Sequence, residues 1–129
     1  MTLTVNVPVL PSSEMLRPEH IRHEPIRDWA PVMAAIEEFR AEVVLALMDH
    51  WRVKQMRRPL ANASVAIEWR RAGDIPIPET AQRYVRQALH DMDVIRATSR
   101  SAVTVTEAIT QVDNPEDEGL TITVEGTDG

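Results

Sequence analysis

Between Ser64 and Thr106 the chain changes its hydrophobic period and its turn chemistry in a set order, and that order limits the available folds more than any other stretch. Val65, Ile67 and Trp69 supply the apolar positions of a first segment, read as a helix, that ends at Ala72-Gly73, where glycine can take the left-handed conformation that closes a helix. A turn punctuated by Pro76 and Pro78 follows. Glu79-Thr80 then opens a helix over 79–92 whose apolar positions Ala81, Val85, Ala88, Leu89 and Met92 recur at helical spacing. Gln82, Arg83, Arg86, Gln87 and His90 lie mostly off that stripe, so one face packs and the other is free. After Asp93 the pattern becomes Val94-Ile95 and then the alternation Ala102-Val103-Thr104-Val105-Thr106, with polar residues 96–101 as the tip of a hairpin.

Charge is uneven along the 129 residues. Residues 1–49 hold four Arg against eight acids, 50–100 hold ten Lys and Arg against five acids, and 101–129 hold seven acids and no base. The formal net charge of −6 opposes a polyanionic partner, but the basic block coincides with the helix-turn-helix pattern, as phosphate contacts require. Solvated helices also carry Arg and Lys, so the asymmetry alone does not name a partner.

The N-terminal 30 residues contain Pro8, Pro11, Pro18 and Pro25, which exclude a long helix and favour an extended arm, with a short strand at residues 3–7. Asp28 is placed to cap the helical segment that follows, with Pro31 in its first turn. Val32, Ile36, Phe39, Val43, Leu47 and Trp51 mark one stripe, and Met33, Val44, Leu45 and Met48 widen it. Two arrangements satisfy so wide a stripe. In one, paired long helices join a homodimer through Phe39, Val43, Val44, Leu47, Met48 and Trp51; in the other, a central helix is buried within one domain. Asp49-His50 is a place where the segment can break in two. Trp29, Trp51 and Trp69 are expected as core or interface anchors.

Ser64-Val65-Ala66, Ala72-Gly73, Thr80-Ala81-Gln82-Arg83 and Leu89 with Val94-Ile95 together resemble the winged helix-turn-helix regulators of bacteria and their phages, of the GntR, IclR and MarR-like types. The resemblance covers about a third of the chain and implies that the start of the second helix enters the major groove of duplex DNA. It points to Thr80, Gln82, Arg83, Arg86 and Gln87 on that helix, with Arg96 and Arg100 in the wing. Arg donates two hydrogen bonds to guanine, Gln pairs with adenine, and Thr near a helix start holds phosphate with the backbone amides. Asp93 departs from the glycine or asparagine usual at the entry to the wing, and the turn is long for the family.

The expected fold is therefore α+β and mainly helical. It comprises a Pro-rich arm over 1–30, a winged helix-turn-helix core with a long N-terminal helix over 31–106, and an acidic segment over 107–129 ending in a short strand. With no cysteine, disulfides and thiolate chemistry are excluded. Glu19-His20-Ile21-Arg22-His23-Glu24 has metal-site composition but is bracketed by prolines, and no metal or other cofactor is expected. A phosphate loop, a nucleophile elbow and an arguable carboxylate pair are all lacking, so the chain reads as a non-enzyme. No run is long enough to cross a bilayer, which points to the cytoplasm, or to a virion if the protein belongs to a phage particle. Two functions fit. One is a small DNA-binding protein, a transcriptional regulator or replication accessory factor, reading duplex DNA through the helix 79–92. The other is a structural or adaptor protein, or an acidic inhibitor of a nucleic-acid-binding host protein, that meets its protein partner through the N-terminal arm or the acidic C-terminus.

Overall fold

The computed structural model describes residues 1–12, 30–96 and 102–127. The Glu19–Glu24 cluster, Trp29, the cap at Asp28, Arg100 and most of the wing tip lie outside the described residues. β1 (Thr2–Val7) buries Leu3, Val5 and Val7 and exposes Thr2, Thr4 and Asn6, the period of a strand packed on one side. α1 (Ala30–Asp49) turns Val32, Ala35, Phe39, Val43 and Leu47 inward at helical spacing. His50 ends it in an extended conformation, and its side chain accepts the Arg52 N–H to cap α2 (Trp51–Gln55), so the chain does break there.

Four further elements complete the order: β2 (Asn62–Arg71), α3 (Ala81–Asp91), β3 (Ala102–Gln111) and β4 (Gly119–Gly126), the last preceded by a 3-10 turn at Pro115–Asp117. The sheet runs β1-β4-β2-β3. β2 and β3 are parallel, joined by α3 as the crossover, and β4 lies antiparallel between β1 and β2. One face of the sheet packs with α1 and α3 into a single core that includes Val43, Leu47, Val85 and Leu89 from the helices. Trp69 is its largest member, 1% exposed and 6.3 Å from the Phe39 ring. Each such fully buried side chain is worth roughly 1.5–3 kcal/mol of transfer free energy. On the opposite face Thr2, Thr4, Asn6, Ser64, Ala66 and Glu68 are exposed.

This mixed α/β architecture replaces the mainly helical winged helix-turn-helix. The stretch from Asn62 to Arg71 is a strand because Ala63, Val65, Ile67 and Trp69 are buried and alternate with exposed Ser64, Ala66 and Glu68. On a helix, successive steps of two residues point to opposite sides of the axis, so these four side chains would divide between two faces and not be buried together. Gly73 does take a positive φ of 80°, but it follows a strand. Among the described residues, the flanks of the expected wing do not pair with each other either. Ile95 makes an isolated parallel bridge with Leu60, and β3 pairs with β2 from Ala102 to Gln111. The short strand expected at residues 3–7 and the one expected to end the acidic C-terminal segment both exist, as β1 and β4, and they pair with each other. A single sheet thus draws on all three of the chain's charge blocks.

Candidate nucleic-acid interface

α3 owes its position to Ala81, Val85, Ala88 and Leu89, all fully buried, which fix the rotation of the helix on the sheet. Arg83, Arg86, Gln87 and His90 consequently face solvent. Thr80 holds the N-cap position without a side-chain cap hydrogen bond, and both it and Gln82 are half-buried at the start of the helix. The C-terminus closes through a positive φ of 56° at Asp93, with Asp93 N–H donating to His90 O and Val94 N–H to Leu89 O. That is the Schellman arrangement, and the buried pair Leu89 and Val94 supplies its apolar contact. Asp93 therefore makes the left-handed turn itself, in place of glycine.

α1 runs beside α3 and contributes Arg40. Its guanidinium donates to Asp91 Oδ2 at 2.9 Å, while its Nε is buried without a hydrogen-bond partner. The flank between the helices is a concavity of about 350 Å³ lined by Arg40, Arg83, Arg86, Gln87, His90 and Ile95 together with Asp91. Asp91 is its single carboxylate, and Arg40 engages it; His90 Nδ1 stands 3.7 Å from its other oxygen. Among the described residues no ion pair involves Arg83 or Arg86. Among the described residues, no carboxylate pairs with the cations along the middle of α3.

Beyond the helix, exposed Arg96 donates its backbone N–H to Leu60 O, and Leu60 N–H donates to Val94 O. This pairing lays the segment that carries exposed Arg57 and Arg58 against the C-terminal end of α3. Of the residues expected to touch DNA, Arg83, Arg86 and Gln87 share one flank, Arg96 lies past its end, and Thr80 and Gln82 are partly withdrawn. Sequence reading missed Arg40, which sits in an acidic block and reaches Asp91 across 51 positions. It also passed over Arg57 and Arg58, for which the basic block was the available signal. No protein-family model and no curated protein matches this chain.

The expected dimer residues separate into two groups. Phe39, Val43 and Leu47 are buried in the chain's own core, and Val44 is half-buried against it, so α1 is the buried central helix of the second arrangement rather than a helix pairing through those side chains. Met48 and Trp51 are exposed at 49% and 57%. Trp51 is accordingly not a core anchor; Arg52 covers its ring at 4.6 Å and the His50 ring stacks on it at 11°. Among the described residues there is no group of three or more His, Cys, Asp or Glu placed to hold a metal, and no helix is long and apolar enough to cross a membrane.

Proposed function

We propose that this protein binds duplex DNA, without chemistry of its own, by laying the exposed flank of α3 along the phosphate backbone. One observation carries the reading: Arg83, Arg86 and His90 project from one flank whose single carboxylate is already engaged by Arg40. Such a flank attracts phosphates through charge and releases counterions when it binds. Insertion of the helix start into the major groove is given up, because Thr80 and Gln82 are partly buried and no helix precedes α3 in the manner of a helix-turn-helix. Contacts to phosphate position a protein on DNA without reading its sequence, so binding is expected to be weakly sequence-dependent. A role as a replication accessory factor or a regulator is compatible with that.

The test is binding to a mixed-sequence duplex as salt is varied, with the intact protein and the Arg83→Ala/Arg86→Ala variant. Each lost phosphate contact lowers the log–log salt slope by about 0.9, so the variant should bind more weakly with a slope shallower by about 2. Absence of duplex binding at low salt overturns the reading. The adaptor alternative draws on a different observation, the exposed Leu45, Met48 and Trp51 around the α1–α2 junction. In that reading the arm or the acidic C-terminus docks on a protein, though β1 and β4 are already committed to the sheet.

A further inference from the structure

The two edges of the sheet are treated differently. Along β1 the Thr4 carbonyl accepts a hydrogen bond from His50 Nε2 at 2.9 Å, and Glu42, Leu45 and Asp49 of α1 flank the edge. β3, at the other edge, has β2 as its sole strand neighbour among the described residues. Its ten residues, AVTVTEAITQ, contain no Lys, Arg or Pro and one charge, Glu107, and none of them is buried. Glu107 turns its carboxylate toward the indole N–H of Trp69, and long edges that lack Lys and Pro are templates for another strand.

The backbone directions are set by the pairing with β2. Ala102 N–H donates to Ala61 O at the start of β3, and Val112 N–H donates to Arg71 O just past its end. In a parallel ladder the intervening even-numbered residues therefore turn toward β2, and Val103, Val105, Glu107 and Ile109 present N–H and C=O outward. The same four side chains lie on the helix-covered side of the sheet, in register with Ala63, Val65, Ile67 and Trp69. Ile109 is 51% exposed and rims a groove of about 400 Å³ with Trp69, Ile77 and Pro78.

We propose that β3 is a self-association edge, at which a second copy of this chain pairs antiparallel around a two-fold axis at Thr106 and continues the sheet across both copies. The side-chain pattern selects this occupant because it is nearly symmetric about Thr106. Val103 mirrors Ile109, Thr104 mirrors Ala108, and Ala102 mirrors Thr110. Outward-facing residues must meet outward-facing residues, so the axis passes through a residue rather than between two. An axis at Glu107 would set the two carboxylates directly opposite each other, about 5.5 Å apart at Cα, and like charges opposed in a sheet are destabilising. An axis at Thr106 sets Glu107 against Val105 and Val103 against Ile109, closing the groove and forming about eight backbone hydrogen bonds. The two-fold is perpendicular to the sheet, so both α3 helices lie on one side of the assembly. The inference does not rest on DNA binding.

The experiment exploits the absence of cysteine from the chain. In Thr106→Cys the two sulfur-bearing residues face each other across the axis as a non-hydrogen-bonded pair about 4.5 Å apart at Cα, within disulfide range, and mild oxidation should give a covalent dimer. Ala108→Cys is the control, because its copies sit four residues apart along the ladder, roughly 13 Å, and should not cross-link. Wild type should sediment at twice the 14.6 kDa chain mass, and Val105→Pro, which removes an outward N–H alone, should fall to the single-chain mass with its circular dichroism retained. Should that variant not fold, Val105→Glu supplies the same reading, because it sets a carboxylate directly opposite Glu107 of the second copy on both sides of the axis. A wild-type monomer at about 100 μM overturns the proposal, and so do cross-linking of Ala108→Cys as readily as Thr106→Cys and an edge variant that folds and stays dimeric.

Discussion

The indole N–H of Trp69 donates to Glu107 Oε1 at 3.0 Å, tying the largest buried side chain of the core to the outermost strand. An edge-strand carboxylate thereby satisfies a donor that would otherwise sit against apolar neighbours without a partner. Glu107→Ala should destabilise the fold by about 1–2 kcal/mol, the cost of stranding a buried donor. Glu107→Gln keeps an acceptor in place and should recover most of the loss. Urea unfolding followed by tryptophan fluorescence measures both; equal losses for Ala and Gln would show that the hydrogen bond is not the source.

Gly119 opens β4 at φ 151°, and a Cβ added there would stand 2.4 Å from the Val7 carbonyl oxygen. The obstacle is backbone of β1, paired with β4 along its whole length, and not the tip of a flexible side chain. Gly119→Ala should therefore cost about 2 kcal/mol or more by forcing β1 away from β4. The expected result is a thermal midpoint lowered by several degrees, at about 4 °C per kcal/mol for a chain of 129 residues. Gly73→Ala is the comparison, because its φ of 80° is equally unusual but nothing lies within 4 Å of the added atom. It should cost only the backbone strain, about 1 kcal/mol.

Asp93 makes the same left-handed turn at the end of α3 that glycine makes in most Schellman caps. Asp93→Gly relieves the strain at φ 56° but loosens the unfolded chain, so its net effect should be small, within about 1 kcal/mol and stabilising in sign. Asp93→Ala keeps a Cβ and loses the local hydrogen bonding that helps Asp tolerate this region, and should cost about 1 kcal/mol. A thermal denaturation series of Ala, wild type and Gly should rank in that order.

α3 was legible in the chain because Ala81, Val85, Ala88 and Leu89 keep a helical period over three turns and Asp93 marks the stop. β1 and β4 were legible from short alternations, and the break at His50 from the residues around it. β2 was not, although its signal is plain: Val65, Ile67 and Trp69 are two apart, the period of a strand, and Gly73 closes a strand as readily as a helix. That one reassignment removes the helix-turn-helix and its hairpin wing together. The parallel pairing of Asn62 with Ala102 joins residues separated by the whole of α3, and no local pattern encodes it. The basic flank was half visible. Arg83, Arg86 and Gln87 follow from the phase of α3, while Arg40 enters through packing between helices far apart in sequence.

Asp91 gives the DNA reading its most discriminating test, because its carboxylate is the single negative charge on the flank. The Arg40–Asp91 pair is 37% and 48% exposed, so removing it should change stability by less than about 1 kcal/mol. Asp91→Asn leaves Arg40 charged and unpaired on the flank, raising the local positive charge by one. Duplex affinity should rise several-fold at low salt, and the log–log salt slope should steepen by up to about 0.9 as one more cation becomes free to meet a phosphate. Arg40→Met does the reverse, freeing Asp91 as an uncompensated anion beside Arg86 and His90, and should weaken binding by more than the loss of a single distant cation. Titration of labelled duplex against both variants at several salt concentrations decides the matter. If Asp91→Asn leaves affinity and slope unchanged while the fold is intact, the phosphate path does not run along this flank of α3.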